Sequence, residues 1–412
     1  MTAVRPGRLD SERLAHDLAE AFADPPRGRG FGDHRWSHQS LSKGAAGVAV
    51  MHNVLARSGT VGPGRADAWL ARAASEQLTA GDRSGLWFGA PAVAFAAEVC
   101  DPLRYRSALT DLDLAVTTLI RDRLAAAAAR MDAARRPGMA EFDLVRGLTG
   151  LGAYLLARDR GSVLLRGVLD YLVRLTEPVP VGDDAGTAVP GWWVDGPPSV
   201  RSPIRAHGNL GIAHGISGPL ALLALAMRAG VTVTGHATAM QRIEQWLDSW
   251  RQPSPAGPWW PKYVTLAEVA AGRPAQDSAG RPSWCYGTPG LARAQQLAAI
   301  ARRDRQRQAD AEDALARCLA DPAQLAQLTD PYLCHGWAGL AVTTWYAAAD
   351  ASTTSLTEQL PRIATALAEH TLRRDGPHPP GLIDGAAGAA LALYTIACDS
   401  RASRWPACLL IA

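Results

Sequence analysis

Lysine is nearly missing from this 412-residue chain: Lys43 and Lys262 stand against forty arginines. We read the imbalance as coding bias rather than function. An excess of one charge sign is missing too. The 42 basic and 39 acidic residues leave a net charge of +3, too balanced to argue for a nucleic-acid or membrane-surface partner. The N-terminal MTAVRPGRLDSERL lacks the apolar core of a secretion signal. No apolar run reaches the ~18 residues needed to span a bilayer. These absences lead us to expect a cytoplasmic protein whose six cysteines stay reduced. With 48% hydrophobic and 20% charged residues, the chain is neither disordered, nor a collagen, nor a disulfide miniprotein. At ~150 residues per domain, length alone would suggest two or three domains.

What is present is a repeat. A Gly-x-x-Gly element begins at Gly44, Gly147, Gly215, Gly287, Gly336 and Gly385, with a degenerate copy, Gly89-Ala-Pro-Ala92. Each copy opens an Ala/Leu-rich stretch, such as GLTGLGAYLLAR or GAAGAALALYTIA, that is apolar nearly all round and reads as a buried helix. Between them lie amphipathic segments: 11–23, 65–78, 240–250 and 356–374. Strand-like alternation is almost absent. The expectation is an all-α protein of seven inner and seven outer helices alternating along the chain. With no linker visible, residues 1–412 are expected to form one closed domain. Glycine at the start of each inner helix would let the helices crowd together at one end.

Two long stretches, 176–206 and 251–283, are rich in Pro, Gly and Trp and end just before motifs carrying His or Cys. Loops of this length are usually functional or disordered. Their paired tryptophans, Trp192-Trp193 and Trp259-Trp260, fit either the ordered rim of a peptide-entry cleft or pins that hold the loops to the body.

Cys100, Cys318, Cys398 and Cys408 sit in apolar surroundings and read as small buried hydrophobes. Cys285 and Cys334 differ. Each lies two residues before the first glycine of its repeat, and His335 follows Cys334 directly. Equivalent positions in neighbouring repeats face the same rim, so the three can converge although 49 residues apart. Two thiolates and an imidazole are a natural zinc set, with a fourth tetrahedral position left open as in catalytic sites. On spacing alone, ordinary buried residues remain the other reading. A neutral Zn(Cys)₂His centre that takes up a thiol becomes anionic, which keeps the sulfur nucleophilic and points to carbon–sulfur chemistry. His214 directly precedes Gly215, and its ordinary pKa of ~6.5 suits a general acid or base. A helix cap or core histidine is the alternative. Asp143, Arg281 and Tyr286 lie in the same rim segments, where a solvated charge or an ion pair is the plainer reading for the first two.

At Asn209-Leu-Gly-Ile-Ala-His-Gly, Trp284-Cys-Tyr-Gly-Thr-Pro-Gly, Leu333-Cys-His-Gly and Gly385-Ala-Ala-Gly388 the chain resembles the lanthionine synthetase C-like family, the lanthipeptide cyclases. The resemblance runs from Gly44 to Gly388, and the ordered pair Trp-Cys-Tyr-Gly and Cys-His-Gly is highly specific. It implies an α/α toroid with one Zn²⁺ held by Cys285, Cys334 and His335. His214 and Asp143 would form an acid/base pair, with Arg281 and Tyr286 beside them. The implied reaction adds a Cys thiolate of a dehydrated precursor peptide, leader plus core, to dehydroalanine or dehydrobutyrine. The product is a lanthionine or methyllanthionine thioether. No kinase or dehydratase region precedes the repeats, so a stand-alone, monomeric cyclase is expected. It would work with a separate dehydratase and transporter in the cytoplasm or peripherally at a membrane complex, with no nucleic-acid partner. Some relatives carry a small inserted domain among the early helices. Here Gly89 to Gly147 is filled by a helical Arg/Ala-rich segment without a strand pattern. A second reading shares the triad: a zinc-containing glutathione- or thiol-binding, or scaffold, member without cyclase activity. A prenyltransferase-like β-subunit also builds a toroid around a thiol-activating zinc, but with Asp among its ligands and a differently spaced repeat.

Overall fold

The computed structural model describes residues 8–26, 37–58, 62, 64–181, 184–374, 376–400 and 403–412. Seven helices start at the glycine elements: Ala45–Leu55, Ala90–Cys100, Leu148–Arg158, Ser217–Arg228, Thr288–Arg302, Trp337–Asp350 and Ala386–Cys398. Their residues are buried on nearly every side, as their all-round apolar sequences require. Seven longer-range partners alternate with them: Arg8–Glu20, Gly64–Ala73, Arg106–Asp132, Val163–Arg174, His236–Ser249, Arg305–Ala320 and Leu360–Leu372. These are one-faced. Val163–Arg174, for example, buries Leu165, Val168, Leu169, Tyr171 and Leu172 and leaves Val163 in solvent. The four outer segments read from sequence begin or end a few residues from their observed bounds. The tract between Gly89 and Gly147 holds the 27-residue helix Arg106–Asp132 and no strand.

Two compact units emerge. In the first, Met1–Val116 with Leu328–Pro406, helix Ala45–Leu55 packs on Ala90–Cys100 and on Ala386–Cys398, which in turn packs on Trp337–Asp350. The beginning and end of the repeat series therefore share one core. In the second, Thr117–Gln327 with Ala407–Ala412, helix Ser217–Arg228 lies against Leu148–Arg158 and Thr288–Arg302. Among the described residues, no helix is long and apolar enough to cross a membrane.

The glycines serve a closer contact than helix crowding. Before four of the inner helices the preceding segment folds back so that a carbonyl lies over the helix's first turn. A Cβ on the second glycine would fall on that carbonyl oxygen: Leu41 at Gly47, Ile212 at Gly218, Trp284 at Gly290 and Leu382 at Gly388. In all four the carbonyl belongs to the sixth residue back, so the element encodes one loop geometry repeated.

Among the described residues five short strands occur, all but one within 176–206 and its immediate continuation. Val179–Val181 pairs with Asp184–Val189, and Ala206–Asn209 is flanked by Val194–Asp195 and Tyr263–Val264, all antiparallel. Gly182 and Asp183 of the first loop lie outside the described residues. The tryptophan pairs are pins. Trp192 and Trp193 are 2% and 0% exposed and set their edges against Trp246. Trp259 and Trp260 are equally buried, and the Trp260 indole donates to the Leu247 carbonyl at 2.8 Å.

Candidate active site

Segments preceding the inner helices are stitched to one another by single backbone hydrogen bonds, each accepted by the carbonyl two residues before a first glycine. In the second unit the Leu144 N–H donates to the Ala213 carbonyl (3.1 Å) and the Ile212 N–H to the Cys285 carbonyl (3.2 Å). In the first, Cys334 donates to Ile383, Ile383 to Ser42, and Leu41 to Trp87, each at 3.0 Å. The residue just before each first glycine is thereby set beside its neighbour's. His214 and Tyr286 are such a pair, with ring centroids 6.5 Å apart.

Asp143 is fully buried and uses both oxygens. Oδ1 accepts the N–H groups of Arg146 (2.6 Å) and Gly147 (2.8 Å), supplying the cap that helix Leu148–Arg158 lacks at its glycine N-cap. Oδ2 accepts from His214 Nδ1 at 2.7 Å. This bond fixes the imidazole with its proton on Nδ1. The side chain stays 30% exposed, with Nε2 as the nitrogen free to take part in proton transfer. His214 is thus joined to a buried carboxylate rather than capping its own helix.

Tyr286 packs on Gly211, where a Cβ would strike its ring, and its hydroxyl accepts from Asn209 Nδ2 at 3.0 Å. Burial pushes its phenol well above the ordinary value, so it keeps its proton at physiological pH. Asn209 is fully buried and also accepts the Gly211 N–H on Oδ1 (3.1 Å). Sequence reasoning quoted Asn209 within its motif but gave it no role; its place at the end of strand Ala206–Asn209 was invisible without the sheet. Arg281 is half-buried. Its carbonyl lies where a Cβ on Gly287 would fall, and its guanidinium is not bonded to the His214–Asp143 pair.

Cys285 is buried, with Ser283 Oγ 3.7 Å from its sulfur. Cys334 is half-buried. His335 Nε2 lies 3.7 Å from Asp330 Oδ2, and Asp330 Oδ1 accepts the Tyr332 N–H (2.9 Å). Asp330 was also missed, since nothing in its sequence position marks it. One ligand atom each from Cys285, Cys334 and His335 lie within 4.8 Å of one another. Of the other cysteines, Cys100, Cys318 and Cys408 are buried like apolar residues, whereas Cys398, also expected to be buried, is half-buried at the end of its helix. Burial pushes the Cys318 thiol up to about 12 and raises those of Cys100 and Cys408 well above the ordinary thiol value.

Against known proteins, the family model described as "Lanthionine synthetase C-like protein" matches residues 35–410. Among solved structures, one described as "Nisin cyclase" superposes with a TM-score of 0.78 at 18% identity, covering 98% of this chain and 97% of its own. At that identity the likeness establishes fold, and the fold is the α/α toroid expected from the repeats. No curated protein sequence matches the chain.

Proposed function

Since the chain belongs to the lanthionine synthetase C-like family, we propose that it is a zinc-dependent lanthipeptide cyclase that closes thioether rings in a dehydrated precursor peptide. The observation that carries this reading is the convergence of two thiols and an imidazole. The donor set is soft, holds three ligands and leaves a fourth position for an incoming group, which suits zinc. Cys285, Cys334 and His335 would hold the ion. Bound there, zinc would lower the pKa of a substrate thiol and orient its sulfur.

The remaining steps belong to the protein's own side chains. Addition forms a bond between the peptide sulfur and the β-carbon of the dehydro residue, and the electron pair of the double bond moves toward the α-carbon and its carbonyl. The thiol proton leaves and one proton must reach the α-carbon, so the sum is simple addition. His214 Nε2 is the proton carrier of this scheme. Asp143, accepting from Nδ1, orients the ring so that Nε2 would face the α-carbon. Arg281 is assigned to the negative charge that develops on the carbonyl oxygen. Tyr286, held protonated by its burial and held in place by the Asn209 amide, shapes the wall beside His214.

In this proposal the whole chain acts as one cyclase domain, monomeric and cytoplasmic or peripheral to a membrane complex. It would receive its substrate from a separate dehydratase and pass the product to a transporter. The test is ring formation on a dehydrated precursor, read by mass spectrometry after thiol blocking, with zinc content measured in parallel. Zinc-loaded protein that binds small thiols yet leaves every precursor thiol open to blocking would replace the cyclase with a thiol-binding or scaffold role.

A further inference from the structure

The terminal segment Ala407–Ala412 belongs to the second unit, with Cys408, Leu409, Leu410 and Ile411 all 1% exposed or less. Two buried side chains receive it. Arg293, itself 1% exposed, donates through Nε (3.0 Å) and Nη2 (2.8 Å) to the Ile411 carbonyl. Its third nitrogen donates to Gln296 Oε1 at 2.5 Å, and Gln296 is held in turn by Glu312 (2.9 Å). A buried guanidinium is tolerated only when its donors are met, so the segment's position is tightly specified.

The other receiver is Trp284, also 1% exposed, whose indole N–H donates to the Leu409 carbonyl at 3.0 Å. Trp284 directly precedes Cys285. Its own carbonyl lies against the first turn of helix Thr288–Arg302, where only Gly290 leaves room. The residue is therefore fixed through its ring and through its backbone. The Cys285 carbonyl is fixed by the Ile212 N–H. The freedom left to the thiol is one side-chain torsion.

We propose that Trp284, anchored by the terminal segment, is a positioning residue for the Cys285 thiol as a metal ligand. The inference rests on the zinc reading above and extends it to residues that touch neither metal nor substrate. Groups behind a metal ligand typically change affinity 10–100-fold when removed.

The experiment compares wild type, Trp284→Phe, which keeps a smaller aromatic ring and loses the donor, and a chain lacking residues 409–412. Zinc affinity is measured by competition with a chromophoric chelator, and the visible spectrum of the cobalt-substituted protein reports thiolate geometry. Trp284→Phe is expected to weaken zinc binding about 10-fold or more and to shift the cobalt spectrum, while helical circular dichroism is retained. The shortened chain should weaken it further; if it does not fold, Trp284→Phe alone decides. Unchanged affinity and spectrum in Trp284→Phe, with or without a lower melting temperature, would make the anchor purely structural and overturn the proposal. A wild type that takes up no zinc or cobalt would instead overturn the metal reading itself.

Discussion

Asp143 does two jobs with one carboxylate, and this changes what its removal should do. His214→Asn leaves the metal donors untouched, so zinc content should hold while turnover falls by roughly 10²–10⁴, the usual scale for general acid–base catalysis. Asp143→Asn should lower turnover similarly, because its amide would present a donor to Nδ1 and reverse the tautomer. It should cost less than a cap lost to alanine, about 0.5–2 kcal/mol, because Asn can still accept the Arg146 and Gly147 N–H groups. Since the pair acts as one unit, the double variant should be little worse in turnover than either single. Ring formation assayed with zinc content and thermal melts separates these effects. A His214→Asn protein that cyclises at the wild-type rate would remove His214 from the chemistry. At this scale the positions of His214, Cys285, Cys334 and His335 in the repeat were legible in the sequence, and the structure sets His214 on Asp143 and gathers the other three. Asn209 and Asp330 were not, because each acts through a contact that depends on where a loop folds back.

The inner helices were readable because their glycines and all-round apolar sequences repeat, whereas the short strands were not. Two to six residues give too few alternations for a period to stand out. Elements also settle the role of the tryptophan pairs. Trp192 and Trp193 meet Trp246 on the outer helix His236–Ser249 and hold the first long loop down. Replacing either with Ala removes a fully buried indole, at a cost of about 3–5 kcal/mol. The melting temperature should fall steeply for the single variants, with peptide affinity of the folded fraction changed little. Calorimetry beside a binding assay checks this, and weakened binding at unchanged stability would restore them to the cleft rim. The glycine element makes a second test. Gly47→Ala would place a methyl group on the Leu41 carbonyl oxygen, forcing the loop off its helix. Overpacking of this kind costs about 1–3 kcal/mol, which a denaturant titration resolves. A neutral result would show that the loop can withdraw from its helix.

For the whole molecule, the question is how far the fold depends on its metal. The inner and outer helices named above bury their apolar faces against other helices of the chain, so the helical body should persist when zinc is removed. A ligand that binds only the folded chain nonetheless raises its stability by RT ln(1 + [L]/Kd), about 4 kcal/mol at a thousandfold excess over Kd. Cys285 lies 49 residues along the chain from the adjacent pair Cys334 and His335. An unfolded chain would gather them only at the entropic cost of closing that loop. Zinc should therefore bind the native state preferentially. The melting temperature of wild-type protein should climb with free zinc and fall when a chelator is added, with little change in far-ultraviolet circular dichroism below the transition. Cys334→Ala, which removes one donor from a half-buried position, should melt at a temperature nearly independent of zinc. If both proteins respond to zinc alike, the metal is stabilising the chain from somewhere other than the triad, and the assignment of these three residues fails.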